Sequence, residues 1–203
     1  MKYILIILCL AVSFTSYGED ILKQKIEMRI DSIGDARVVV SMNMNANQWQ
    51  VWNQTYGNNP AMLKRAMERQ LPGYFMDDYN LEKDDMNRSF TFSFTAYGVC
   101  KVDKKGRWIL ETEDENPDIT ELSENKYMLV TTENSGGVPI QQTQIITFPD
   151  GAEGIEIDKD SFNKTQFEFK MAEVGGGVAS TFWIGLALAA AGMVWGGVVF
   201  RKK

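Results

Sequence analysis

SFTFSFTAYGVCKV, residues 89–102, alternates apolar and polar side chains along its length. Phe90, Phe92, Phe94, Ala96, Gly98, Cys100 and Val102 fall on one side of an extended chain. Ser89, Thr91, Ser93, Thr95, Tyr97 and Lys101 fall on the other. A period of two describes a strand in a sheet that is dry on one face and wet on the other. A slip of one residue would turn three phenylalanines to solvent, so the register is well specified. Asp103-Lys104-Lys105-Gly106 then supplies a turn, and residues 108–112 return as the partner strand.

The same period recurs toward the N-terminus. Ile26, Met28 and Ile30 alternate with Glu27 and Arg29. After a Gly34-Asp35 turn, Ala36, Val38, Val40, Met42 and Met44 alternate with Arg37, Ser41 and Asn43. Between the two hairpins the period lengthens. Asn47 is placed to cap a short helix with Trp49, Trp52 and Tyr56 at helical spacing. Pro60 opens a second helix with Leu63, Ala66 and Met67 as its buried stripe, and Leu71-Pro72-Gly73 stops it. Residues 113–118 read as an acidic loop, and strands are expected at 126–132, 141–148 and 165–171. Ser135-Gly136-Gly137 and Pro149-Asp150-Gly151 are the turns between them. The expected fold class is α+β: an antiparallel sheet with one helical layer, plus a single C-terminal transmembrane helix.

The two ends of the chain carry the topological reading. In residues 1–18, Lys2 precedes an apolar run, and Ser16 and Gly18 set small residues before a cleavage point, the form of a signal peptide. Cys9 follows Leu8, where a lipidated cysteine wants a small residue, so lipidation is rejected. Residues 19–173 form the extracytoplasmic domain, and 174–181, with Gly175-Gly176-Gly177, form a joint. Residues 182–200 carry no charge and at about 1.5 Å per residue cover a hydrocarbon core of roughly 30 Å. Arg201, Lys202 and Lys203 form a basic tail of the kind retained on the cytoplasmic side. The expectation is a single-pass protein of the cell membrane with its large N-terminal domain outside the cytoplasm.

Composition excludes several kinds of chemistry. There is no histidine, which removes histidine-based triads, imidazole metal ligands and the usual base near neutral pH. Four of the 21 basic residues lie outside residues 19–173, so the domain holds 17 against 27 acids, near minus ten. Nucleic acid is therefore not an expected partner. Beyond residue 18 the only cysteine is Cys100, which falls on the apolar side of its strand and reads as a small buried hydrophobe. Disulfides are then absent from the domain, which leans toward a bacterial envelope.

The order of hairpin, helical segment, long hairpin, further strands, joint, single helix and basic tail resembles the LppM-like domain of bacterial envelope proteins. The resemblance covers roughly residues 26–203 and is one of topology. It implies an extracytoplasmic α+β domain on a C-terminal helix, with envelope lipids or glycolipids as ligands of some members. It carries over no site residue.

No catalytic, cofactor-binding or metal residue is assigned. Asp77-Asp78 and Asp84-Asp85 are the carboxylates an acid–base enzyme would use, but adjacent residues on a strand point to opposite faces. Calcium is conceivable at Glu113, Asp114, Glu115, Asn116 and Asp118, or at Asp158, Asp160 and Asn163, yet neither run fits the EF-hand pattern. Trp49 and Trp52 are a candidate aromatic platform for a sugar or lipid, set against a core role. Gly185, Ala189, Gly192 and Gly196 line one side of the apolar helix, a candidate face for a homodimer in the membrane. The function expected is a non-catalytic envelope binding or assembly module, with the bilayer and an envelope protein, lipid or glycan as partners. Two alternatives are a surface protein whose tail is cleaved near the glycines, and a carboxylate-dependent hydrolase.

Overall fold

The computed structural model describes residues 21–112, 114–135 and 138–172. The chain divides between Met171 and Ala172 into two units, and every described residue except Ala172 belongs to the first. The expected signal peptide, glycine joint, membrane helix with its small-residue face, and basic tail lie outside the described residues. Among the described residues no helix is long and apolar enough to cross a membrane.

The first hairpin forms as its alternation predicts: β1 (Leu22–Ile30) pairs antiparallel with β2 (Ala36–Asn43). Helix α1 (Ala46–Trp52) begins two residues earlier than expected, because Asn45 and not Asn47 caps it. The Asn45 side chain accepts from Gln48 N–H at 3.0 Å, and Gln48 Oε1 accepts from Asn45 N–H at 2.9 Å. This reciprocal box satisfies two N–H groups that a bare helix start would leave open. A π-helical turn (Asn53–Gly57) leads to α2 (Pro60–Gln70), capped by Asn59 with Pro60 in its first turn. Then follow β3 (Phe75–Asp84), β4 (Ser89–Tyr97), β5 (Cys100–Val102), β6 (Trp108–Glu111), β7 (Asp118–Ser123), β8 (Lys126–Ser135), β9 (Val138–Thr147), β10 (Ala152–Lys159) and β11 (Thr165–Met171).

The α+β expectation is overturned. Strand takes 56% of the described residues against 15% helix, so the domain is mostly β, and it contains two sheets where one was expected. The seven-stranded sheet runs β3-β4-β2-β1-β9-β8-β7, and the four-stranded sheet runs β10-β11-β6-β5. The larger sheet is mixed, since β1 and β9 pair in parallel. The cause of the second sheet lies inside residues 89–102. Gly98 adopts φ +67°, a left-handed conformation that glycine adopts without strain, and the alternation stops there. Val99 and Cys100 are both buried, while Val102, expected inside, is 55% exposed. The chain therefore leaves the large sheet at Tyr97 and joins the small one at Cys100.

One face of the large sheet is covered. Val38, Val40 and Met42 of β2 stand opposite Phe94, Phe92 and Phe90 of β4, all buried. Over this part lies the helical segment: Trp52 stacks on Phe90 at 4.4 Å and on Trp49 at 5.0 Å. Over the β8–β9 part lies the small sheet, where Phe167 and Phe169 meet Phe148 and Phe167 meets Tyr127. The opposite face keeps Lys23, Lys25, Glu27 and Arg29 of β1 exposed.

Candidate functional site

Trp49 and Trp52 are core residues in the structure. Their rings are stacked on each other, Phe90 covers Trp52, and Trp49 Nε1–H donates to Asp85 Oδ1 at 3.2 Å. Helical spacing placed both on the inward side, so neither ring offers a ligand an open face. Three of the four aspartates, Asp78, Asp84 and Asp85, serve separate structural tasks. Asp78 sits at a bulge in β3 with φ +53°, and its carbonyl accepts from Arg37 Nη1 at 3.2 Å. Asp84 accepts from Asn87 N–H at 2.9 Å and Asn87 Nδ2 at 2.7 Å, and the Asn87 backbone donor in particular holds its carboxyl below the usual range. Asp160 closes the turn before β11, accepting from the N–H groups of Phe162 and Lys164 at 2.8 Å. Cys100 is buried, and burial, aided by Asp31 and Asp35, pushes its thiol up to about 12, which keeps it protonated and unreactive.

Two places gather polar groups instead. The first is a seam beneath the small sheet. Gln24, Gln142 and Gln144 lie on the covered face of β1 and β9, with Gln24 opposite Gln142. Asp114 is buried against them, and Gln144 Nε2 donates to its Oδ2 at 3.5 Å, a long bond. Burial first, and the charge of Glu133 second, push the Asp114 carboxyl up to about 6. The Asp114 backbone is fixed on the other side, its carbonyl accepting from Thr165 N–H at 2.8 Å. The acid is closed over and titrates inside the fold, which suits a structural group better than a reacting one.

The second is an open groove on the small sheet, of about 390 Å³, lined by Arg107, Glu153, Gly154, Glu156, Glu168 and Lys170. Edge strand β10 builds its wall. The pairing of β10 with β11 slips between Glu153 and Glu156, where Gly154 takes φ +59°. Such a bulge re-aims the side chains beside it. Glu156 stands directly opposite Glu168, a like-charge pair that would repel without a counterion. Arg107 supplies the counterion: its Nη1 pairs with Glu168 Oε2 and its Nε with Asp103 Oδ2 at 3.1 Å. Gln166 Nε2 adds a bond to Glu168 Oε1 at 2.8 Å, so this carboxylate is both buried and satisfied. The hydrogen bond that Arg107 donates to Asp103 is the largest cause holding it above its ordinary range, with Glu168 and Glu156 contributing charge.

The groove's lining contains no hydroxyl or thiol nucleophile, and its one guanidinium is already engaged by two carboxylates. Glu153 and Glu156 on the wall, with Lys170 opposite Glu153, leave an acidic rim. This arrangement can hold donor-bearing, cationic groups; it is poorly made for bond cleavage. The sequence reading missed all of these residues. The signal within reach was Gly154 between two glutamates, since an isolated glycine in a strand marks a bulge. No family model, no characterised protein and no solved structure matches the chain.

Proposed function

We propose that this protein is a non-catalytic binding module of the cell envelope, held to the membrane by residues 182–200, whose domain presents the Arg107–Glu153–Glu156 groove to a basic, donor-rich segment of a partner protein. The observation that carries this reading is the groove's electrostatics. Arg107 is already engaged by Asp103 and Glu168, which leaves Glu153, Glu156 and Lys170 as the charges on its wall, two acids against one base. An acidic rim on a domain near minus ten favours a positively charged partner by both contact and steering. The membrane part rests on the uncharged run 182–200 and the basic residues after it.

The test is made in cells with the full chain. A photo-crosslinking amino acid at Glu153 should trap a discrete product in the membrane fraction. The double reversal Glu153→Lys with Glu156→Lys should abolish capture from a second groove position, Lys170, while leaving the amount of protein unchanged. A chain found in the soluble fraction would end the anchored reading. Identical products from Glu153 and from exposed Lys23, on the far face of the large sheet, would end the groove reading.

A further inference from the structure

One end of the seven-stranded sheet carries an apolar rim. Ala36 of β2 stands opposite Ala96 of β4, and Phe75 of β3 stands opposite Tyr97, so these residues share one end. The turn at residues 31–35 closes the same end. Gly98 N–H donates to Asp35 Oδ1 at 2.7 Å, and Cys100 N–H donates to Gly34 O at 3.1 Å. Phe75 is 72% exposed, Ile33 70% and Tyr97 38%, with the Phe75 and Tyr97 rings 5.5 Å apart. Val102, also exposed, pairs with Trp108, whose ring packs so closely on Gly34 that a Cβ there would clash. Exposed large apolar side chains grouped in this way mark an interaction surface.

The path of the chain identifies what covers it. Trp108 stands opposite Phe169, so β11 delivers its C-terminal end to this rim, and the chain leaves the domain at Met171. Ten residues, 172–181, separate that point from the uncharged run beginning at Phe182, a reach of at most about 35 Å at the extended limit. The acids beside Ile33 and Val102 are engaged with backbone donors. Asp31 Oδ1 accepts from the N–H groups of Ile33 and Asp35, and Asp103 Oδ1 from those of Lys105 and Arg107. Lys104 and Lys105, on the turn beyond Val102, are exposed. Aromatic and aliphatic tips with lysines beside them suit the headgroup layer of a bilayer.

We infer that this rim docks on the membrane: Ile33, Phe75, Tyr97 and Val102 enter the headgroup region of the bilayer that residues 182–200 cross. The inference rests on the membrane-anchored reading and adds a fixed orientation of the domain to it. The opposite end of β4 provides an internal control. Met86, in the turn between β3 and β4, is 91% exposed, yet lies about 26 Å away along the strand.

The test uses the full chain reconstituted in phosphatidylcholine liposomes, with Ile33→Cys, Phe75→Cys or Met86→Cys carrying a polarity-sensitive fluorophore. All variants carry Cys9→Ser, and in that background buried Cys100 should take up no label. Lipid-borne bromine quenchers should quench the fluorophore at 33 and 75 several-fold more than at 86. Adding Tyr97→Asp and Val102→Asp, both at exposed positions, should remove most of that difference. A chain that floats with the liposomes but is quenched equally at all three sites overturns the docking and leaves the anchor standing. Self-quenching at 33 or 75 that follows protein density, without quenching by lipid, also overturns it and marks a contact between copies. A chain that does not float overturns the anchor and the docking together.

Discussion

The covered face of the large sheet has two halves built on different principles. Across β2 and β4 it is dry and aromatic: Phe90, Phe92 and Phe94 face Met42, Val40 and Val38 under the stacked pair Trp49 and Trp52. Across β1 and β9 the same face mixes Leu22, Ile26, Met28, Ile30, Ile140 and Ile146 with Gln24, Gln142 and Gln144, and Asp114 is set against these glutamines. Both halves are equally hidden from water, so the difference lies in what burial does to each group. Burial stabilises each aromatic side chain by about 1.5–3 kcal/mol. A buried amide or carboxyl costs free energy unless a good hydrogen bond offsets it, and here the bond to Asp114 is long. The aromatic half therefore gains from every group it buries, whereas the glutamine–Asp114 seam in the other half gains less than the apolar side chains around it.

The sharpest test of that division is Phe92→Asp. It places an unpaired carboxylate in the dry half and removes a fully buried ring, several kcal/mol against a total of about 5–15. We expect loss of folded protein by circular dichroism and by yield. Thr91→Asp, one residue away on the open face, should cost about 1 kcal/mol, chiefly because Glu82 stands opposite it. Equal sensitivity at both positions would break the comparison. Next in size, Trp52→Ala should cost about 3–5 kcal/mol. Trp52→Phe should cost much less, because Trp52 Nε1 has no hydrogen-bond partner among the described residues. Urea midpoints of the two variants measure the difference.

The aromatic half was the legible one. Alternation along β1, β2 and β4 gave strand, face and register together, because each strand has one covered and one open side. The rest was hidden for physical reasons. Strand β7 reads Asp-Ile-Thr-Glu-Leu-Ser and β10 reads Ala-Glu-Gly-Ile-Glu-Ile-Asp-Lys; both are sheet edges with little burial, so selection for an apolar face leaves no trace. The switch of sheets at Gly98 was masked because Cys100 and Val102 continue the apolar count. The glutamines of β1 and β9 alternate correctly but with polar residues on the inside, where period alone assigns them no core role. The groove escaped because its residues meet only through the pairing of β6, β10 and β11.

In the polar half, Asp114 makes stability depend on pH. Its carboxyl titrates near 6 in the folded domain, above its ordinary value of 3.8. Between those values the folded state binds more protons than the unfolded one, so stability falls as pH rises through the window. Ionised above pH 6, the group costs about 1–3 kcal/mol. Asp114→Asn cannot ionise and should raise Tm at pH 7.5 by several degrees, while matching the parent at pH 4. A parent whose Tm does not fall between pH 4 and 7 would place the carboxyl in contact with water.

The smallest effect expected is at Gln24, and it tests whether the seam costs stability. Gln24 is 2% exposed, and its Nε2 has no hydrogen-bond partner among the described residues. Opposite it stand Met42 and Gln142, so an apolar side chain of the same length meets one apolar and one polar neighbour. Gln24→Met keeps the volume and removes the unsatisfied donor, whose desolvation costs about 1–3 kcal/mol. The expected net stabilisation is about 1 kcal/mol, the lower end of that range. The change should appear as a higher urea midpoint with an unaltered slope, because the surface exposed on unfolding stays the same. A lower midpoint would mean that the Gln24 amide is satisfied and that the seam, like the aromatic half, holds the domain together.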